Sequence, residues 1–509
     1  MKQLTTQLLL LAQLGALAAC TTAPPPIPTP PPVDTPDEPG PPVEPVWPDE
    51  AFRSTRPTPG PIAAFESPKV ETFKLSNGLS VVLVAQTGLP VVAMELSFPF
   101  GESSDPVNKS GLAELTARLM NQGTESLDRA QLKERLSGLG SSMSVYAITE
   151  QSGIQARSLK RNLEPTLDLL VEVLTRPGMR KVDLERVRKE LIADLVQQRG
   201  DIQAVGARLT RPMLFGQRHP YGHMLVGKSV ASVSLKDCAS FHAGFKPINA
   251  TLFVVGAVTR EELTAALEPR LSGWTGKARV GPKAGRPKTS PGTIYFVDVK
   301  GAEQSRVVLA HAGPGRMAPD YTETYLMSRI LGGSFSSRIN MNLREDKGWA
   351  YGARAGFGYL KQTGWFTAES NVDAPHTGEA VTELLAEMRK MKETSVTDAE
   401  LTREREGTIL SLPARFSTVM STMGTTSNLA TFGLPWDHYD AFQRDLAKAA
   451  VAGVDGTARK YLNPEAVVVI VVGDGETVRP QLDALVKSKA LPRIKLVEVD
   501  TDGVPVRKR

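Results

Sequence analysis

A chain of 509 residues exceeds what one hydrophobic core usually organises, so at least two domains are expected. With 41% hydrophobic and 23% charged residues it has a globular composition, and a net charge of +5 without a long Lys/Arg block gives no support for nucleic-acid binding. Two cysteines, Cys20 and Cys238, exclude a disulfide framework and a cysteine-based zinc site.

Residues 1–20 read as an export signal. Lys2 supplies a positive start, Leu8 to Leu17 an apolar stretch short for a spanning helix, and Leu17-Ala18-Ala19-Cys20 a small-residue cleavage site. The tetrapeptide resembles a bacterial lipobox. That resemblance implies a lipid on Cys20 and a membrane anchor without a spanning segment; an uncleaved apolar N-terminus is the alternative. Thr21 rather than Asp follows the cysteine, which by analogy with enteric bacteria directs the periplasm-facing chain to the outer membrane rather than the inner. Residues 21–68 form a Pro-rich linker, with Pro24-Pro25-Pro26 and Pro30-Pro31-Pro32 favouring an extended geometry of about 3 Å per residue. It reads as a semi-stiff spacer, or as a Pro-rich ligand for a partner.

The first folded domain is placed at 69–274. Phe73 to Leu75, Asn77-Gly78 and Val81 to Ala85 predict a hairpin, and Val91 to Phe98 a further strand. Helices are expected from about Lys109 to Asn121, with Leu112, Leu115 and Leu119 on one face, and around 129–138, 161–175 and 182–198. A strand at Ala250 to Val255 ends in Gly256.

That last segment has an echo. Pro247 to Gly256 is matched by Asn463 to Gly473, and aligning the two glycines gives 473 − 256 = 217 residues, the length of a domain rather than of a solenoid repeat. A basic, Gly/Pro-rich stretch at 275–291 is read as the interdomain linker, 292–496 as the second copy and 497–509 as a tail. Hairpins mixed with long amphipathic helices indicate an α+β fold: two homologous domains, each an antiparallel-rich sheet packed with helices, forming a clamshell.

Four motifs in order carry a specific likeness. Gly111 to Thr124 resembles the active-site helix of insulinase/pitrilysin-type metallopeptidases, which include mitochondrial processing peptidase. His219-Pro220-Tyr221-Gly222 resembles that family's HPYG loop. Leu331-Gly332-Gly333 with Ser337-Arg338, and Leu343-Arg344-Glu345 with Gly348-Trp349-Ala350-Tyr351, resemble its second domain. The resemblance spans about residues 70–480.

Active members carry H-x-x-E-H on the first helix, two histidines on one face binding zinc and a glutamate activating water. Here the histidine positions hold Glu114 and Arg118, the base position Ala117, and the distal ligand position falls near Asp194. A guanidinium has no lone pair for a cation and alanine accepts no proton, so no metal is expected in this chain. Glu114 and Arg118 read instead as an i,i+4 ion pair on an exposed helix face, and Asp194 as a carboxylate left alone. The remaining histidines, His242, His311, His376 and His438, are scattered singly, and Pro220 and Gly222 argue against a helical His219/His223 pair.

The second half keeps an Arg and a Tyr at the family's separation, Arg344 and Tyr351. The resemblance implies that such a pair holds the substrate backbone and stabilises the tetrahedral intermediate in a zinc site. An Arg344–Glu345 surface pair with Tyr351 as a strand aromatic is the plain structural alternative. Gly332 and Gly333 resemble the element lining the substrate passage, or make a helix C-cap. Some bacterial members divide these tasks between two chains. The implied function is a non-catalytic, substrate-handling lipoprotein subunit, with zinc only in an insulinase-like peptidase partner and unfolded peptides as substrates. A catalytically inert peptide-binding or scaffold protein of the envelope is the rival reading, and a peptidase with unorthodox ligands the third.

Overall fold

The computed structural model describes residues 54–55, 60, 65–277, 279–285 and 289–506; the signal segment, Cys20, nearly all of the Pro-rich linker and Arg507-Lys508-Arg509 lie outside the described residues. Every described strand and α-helix lies within Ile62–Arg509. No described helix is long and apolar enough to cross a membrane.

Two six-stranded sheets organise this body. The first contains β1 (Glu71–Lys74), β2 (Ser80–Ala85), β3 (Val91–Phe98), β4 (Ser142–Ala147), β5 (Ser152–Leu159) and β6 (Thr251–Gly256), in the order β1-β2-β6-β3-β5-β4. The second contains β7 (Thr293–Asp298), β8 (Gln304–Gly313), β9 (Ala350–Tyr359), β10 (Gly364–Asp373), β11 (Val468–Gly473) and β12 (Lys495–Glu498), in the order β12-β7-β11-β8-β10-β9. The parallel pair β2–β6 corresponds to the parallel pair β7–β11, and antiparallel ladders follow on the same side in both. The duplication is therefore structural as well as sequential. Only the outer edge differs: β1 runs antiparallel to β2, whereas β12, from the far end of the chain, runs parallel to β7.

The hydrophobic runs of β2, β6 and β11 are continuous because both faces of each sheet are covered. On one face of the first sheet, Val81, Leu83, Met94, Leu96, Leu252 and Val254 form a core with α1 (Leu112–Met120), α2 (Leu163–Thr175) and α3 (Lys181–Gln197). The second sheet packs likewise, with Val469 and Val471 against α5 (Thr377–Glu393), while α6 (Asp398–Ser411) adds Leu401 and Ile409 to the same core.

The opposite faces are covered by an exchange between halves. Helix α4 (Ile202–Phe215), from the first half, buries Val205, Leu209 and Met213 against Val308, Val468, Ile470 and Val472 of the second sheet. Helix α7 (Val419–Phe432), from the second half, places Met423 against Val82, Val84, Phe253 and Val255 of the first. Each fully buried aliphatic side chain contributes about 1.5–3 kcal/mol, so the reciprocal helices tie the halves into one body.

Residues 499–506, expected as tail, fold back on this junction. Val499 joins the α4 core, Val499 and Pro505 form a β-bridge, and Asp502 pairs with Arg199 (3.0 Å) and Arg208 (3.3 Å). The expected boundary after 496 falls inside β12.

Candidate functional site

Helix α1 buries Leu112, Leu115 and Leu119, which turns Glu114 and Arg118 toward its other side. Its first turn is held by Asp105, whose carboxylate accepts from the backbone N–H of Gly111 (2.8 Å) and Ala113 (3.0 Å). Arg118 Nε donates to Glu114 Oε1 at 2.7 Å and Arg118 Nη1 to Asp194 Oδ2 at 3.0 Å, the latter arriving from α3. The three positions that the resemblance implies for zinc ligands thus converge, around a guanidinium.

This corrects two expectations. Asp194 is not alone, and the Glu114–Arg118 pair does not lie on an open helix face. Both side chains are about two-thirds covered and line a cavity of about 280 Å³ formed wholly by residues of the first half. The cause is tertiary: α3 crosses α1, bringing Asp194 to a partner 76 residues away.

The donor set does not fit zinc. Arg118 occupies the place of the cation with its own charge, and Ala117 is buried and has no proton acceptor. Among the described residues no three His, Cys, Asp or Glu side chains are placed to hold one ion. Burial works against the Arg118 charge, but Glu114 and Asp194 outweigh it and raise its pKa. Elsewhere in the cavity, burial pushes the Asp105 carboxyl up to about 7 and raises that of Glu102, while it lowers the His223 imidazole. The HPYG loop is held by Tyr221, which donates from its backbone N–H to His219 Nδ1 (3.1 Å) and from its hydroxyl to Glu150 (2.5 Å). Cys238 is a buried free thiol, its pKa raised by burial.

Arg344 and Tyr351 come together, away from this cavity. The Arg344 guanidinium carbon lies 4.9 Å from the Tyr351 ring centre and 4.7 Å from that of Phe335, and Nε pairs with Glu345 at 3.1 Å. Tyr351 is 86% exposed and Phe335 61%. The sequence reading missed Phe335; its only signal was an aromatic residue between Gly332-Gly333-Ser334 and Ser337-Arg338.

The supporting turn is rigidly tied. Arg338 makes two hydrogen bonds to Glu400 of α6 (2.8 and 2.9 Å), and Arg329 meets Glu404 of α6 (3.0 Å). Gly332 is buried against β9, where an added Cβ would stand 2.1 Å from the Ala355 backbone nitrogen. The backbone that approaches this glycine is the chain's own strand. Gly333 accepts from Arg329 through its carbonyl, and neither glycine lines the cavity at Arg118.

A duplicated two-sheet body in which Arg118 bridges Glu114 and Asp194, with no metal-binding cluster among the described residues, defines a peptidase-like frame. Residues 80–213 match the family model described as Insulinase (Peptidase family M16), and residues 232–408 that of the Peptidase M16 inactive domain. The chain belongs to the M16 insulinase family, alongside its non-peptidase homologues. It is 24% identical over 372 residues to the non-peptidase homolog YmxG of Helicobacter pylori, covering 72% of this chain and 85% of the relative. It is 22% identical over 384 residues to the mitochondrial-processing peptidase subunit beta of Saccharomyces cerevisiae, covering 70% and 80%. The crystal structure of a peptidase M16 inactive domain from Pseudomonas fluorescens shares the fold, with a TM-score of 0.74 at 24% identity over 80% of this chain and 98% of the other.

Proposed function

We propose that this protein is the zinc-less, substrate-handling lipoprotein subunit of a heteromeric insulinase-like peptidase, anchored through Cys20 and facing the periplasm from the outer membrane. The observation that carries the reading is the contrast between two sites. Arg118 fills the chain's own metal position, while Arg344 stands between two exposed rings on a turn pinned by Glu400 and Glu404. A preorganised guanidinium beside a phenol suits a substrate carbonyl or a developing oxyanion. Arg344 and Tyr351 serve the site of a zinc-bearing partner chain, and unfolded peptides are the substrates. A relative that is itself a subunit of a processing peptidase supports a partnership of this kind.

The test is reconstitution. The purified chain alone cleaves no peptide and carries no stoichiometric zinc; mixed with an H-x-x-E-H chain encoded beside it, it raises that chain's peptidase activity. No gain on mixing sinks the reading.

The rival is an inert peptide-binding or scaffold protein of the envelope, favoured by the engagement of Arg344 Nε with Glu345. Full partner activity with Arg344→Ala and Tyr351→Ala favours the scaffold.

A further inference from the structure

A second cavity, of about 610 Å³, lies where the two halves meet, and no step of the proposed function uses it. At its base is Glu95 of β3, only 3% exposed. Its neighbours Met94 and Leu96 point into the first core, so Glu95 points to the other face, beneath α7. Glu95 Oε1 accepts from Tyr146 Oη (2.5 Å), Gln151 Nε2 (2.9 Å) and Ser427 Oγ (3.1 Å). Oε2 receives only a long contact from Gln155 Nε2 (3.4 Å). Among the described residues no cationic side chain pairs with this carboxylate. A buried carboxylate without a countercharge is costly, and Oε2, with only this long contact, keeps acceptor capacity in a residue that lines the cavity.

The surroundings are built around it. Tyr146 lies across Gly153, where an added Cβ would come within 2.8 Å of its ring and hydroxyl; only glycine there lets the phenol reach Glu95. Burial and Glu95 raise the Tyr146 pKa, so its hydroxyl remains a donor. Tyr359, Trp365 and Phe432 add aromatic wall from the second half. Glu150 is a second carboxylate of the lining, already engaged by Tyr221 and the Lys361 backbone N–H. Arg211 is the one cation of the lining, held by Thr149 (2.5 Å) and by the Trp365 face, 5.9 Å away. Ile148 both lines the cavity and is 53% exposed, which opens it to solvent.

We infer that this inter-half cavity binds an alkylammonium group, its charge on Glu95 Oε2 and its aliphatic stem against the aromatic walls. A buried anion with a spare acceptor beside aromatic faces is the chemistry that recognises such a cation. The group comes either from a free diamine or from a lysine side chain of a peptide. Binding needs no second chain, so it stands or falls independently of the role given to Arg344.

The test is calorimetric titration of the full-length protein with cadaverine and with Nα-acetyl-lysine amide, using Nα-acetyl-norleucine amide as the uncharged control. Saturable binding of cadaverine alone identifies a free amine, of the lysine amide alone a peptide side chain, and of both the shared head group; each supports the site. Glu95→Gln, which keeps the acceptor for Tyr146, weakens binding by about tenfold or more. Arg211→Gln removes the like charge and tightens it, a change of opposite sign that a misfolded variant does not produce. Absence of saturable binding by either amine, equal binding of the norleucine control, or wild-type affinity in both variants overturns the inference.

Discussion

Arg118 of α1 and Asp194 of α3, 76 residues apart in sequence, meet at 3.0 Å. The three positions that the sequence resemblance implies for metal ligands come together, and one of them carries a cationic side chain. In this chain a charge pair, Arg118 to Asp194, links α1 to α3.

That geometry predicts a recoverable site. The combined substitution Glu114→His, Ala117→Glu and Arg118→His, with Asp194 retained, restores an H-x-x-E-H helix opposite a carboxylate. Elemental analysis should find about one zinc per chain in this variant and none at stoichiometric level in the wild type. Tightly held zinc in the wild type contradicts the reading of Arg118.

Removal of the charge alone has a modest effect. Arg118 is a third exposed and Asp194 nearly half, so solvent screens both pairs. Arg118→Ala should cost under about 1 kcal/mol in urea unfolding. A loss of several kcal/mol indicates that the cavity is drier than its exposure implies.

Tyr351 contributes little to folding, and its proposed role is toward a partner. At 86% exposure its replacement by alanine should change stability by less than about 0.5 kcal/mol. In the reconstituted complex, Arg344→Ala should lower peptide turnover by about 10²-fold or more, as expected for a donor aimed at an oxyanion. Unchanged turnover favours the scaffold.

The junction between halves is the sensitive part of the core. Leu209 of α4 is fully buried against the second sheet, and Leu209→Ala should cost about 2–5 kcal/mol. Met423→Ala on α7 tests the reciprocal contact. If the halves unfold as one unit, a single cooperative transition shifts in both variants.

Asp105 gives a pH signature. Its carboxyl titrates at about 7 in the fold against 3.8 ordinarily, because it is buried. Between those values the folded chain holds a proton that the unfolded chain has lost, so this group lowers stability as pH rises through the window. Asp105→Asn cannot lose a proton. Its melting temperature should improve relative to the wild type from about pH 4.5 to about pH 8. A constant difference across that range rules out the raised pKa.

Local chemistry determined much of this protein. Val91 to Phe98 forms a strand with the bounds read from its residues, and the expected hairpin and helices around 129–138 and 161–175 are present. The strand ending at Gly256 has its counterpart in the one ending at Gly473. Side-chain chemistry at 114, 117 and 118 sufficed to argue against a zinc helix, because a missing lone pair is missing in any fold. Tertiary structure alone decided the exchange of α4 and α7, the seat of Asp194 on Arg118 and the burial of Glu95 beneath Ser427. Each of these joins residues brought together by packing between helices and sheets, and neither periodicity nor motif spacing encodes which exposed-looking polar group will meet which distant neighbour.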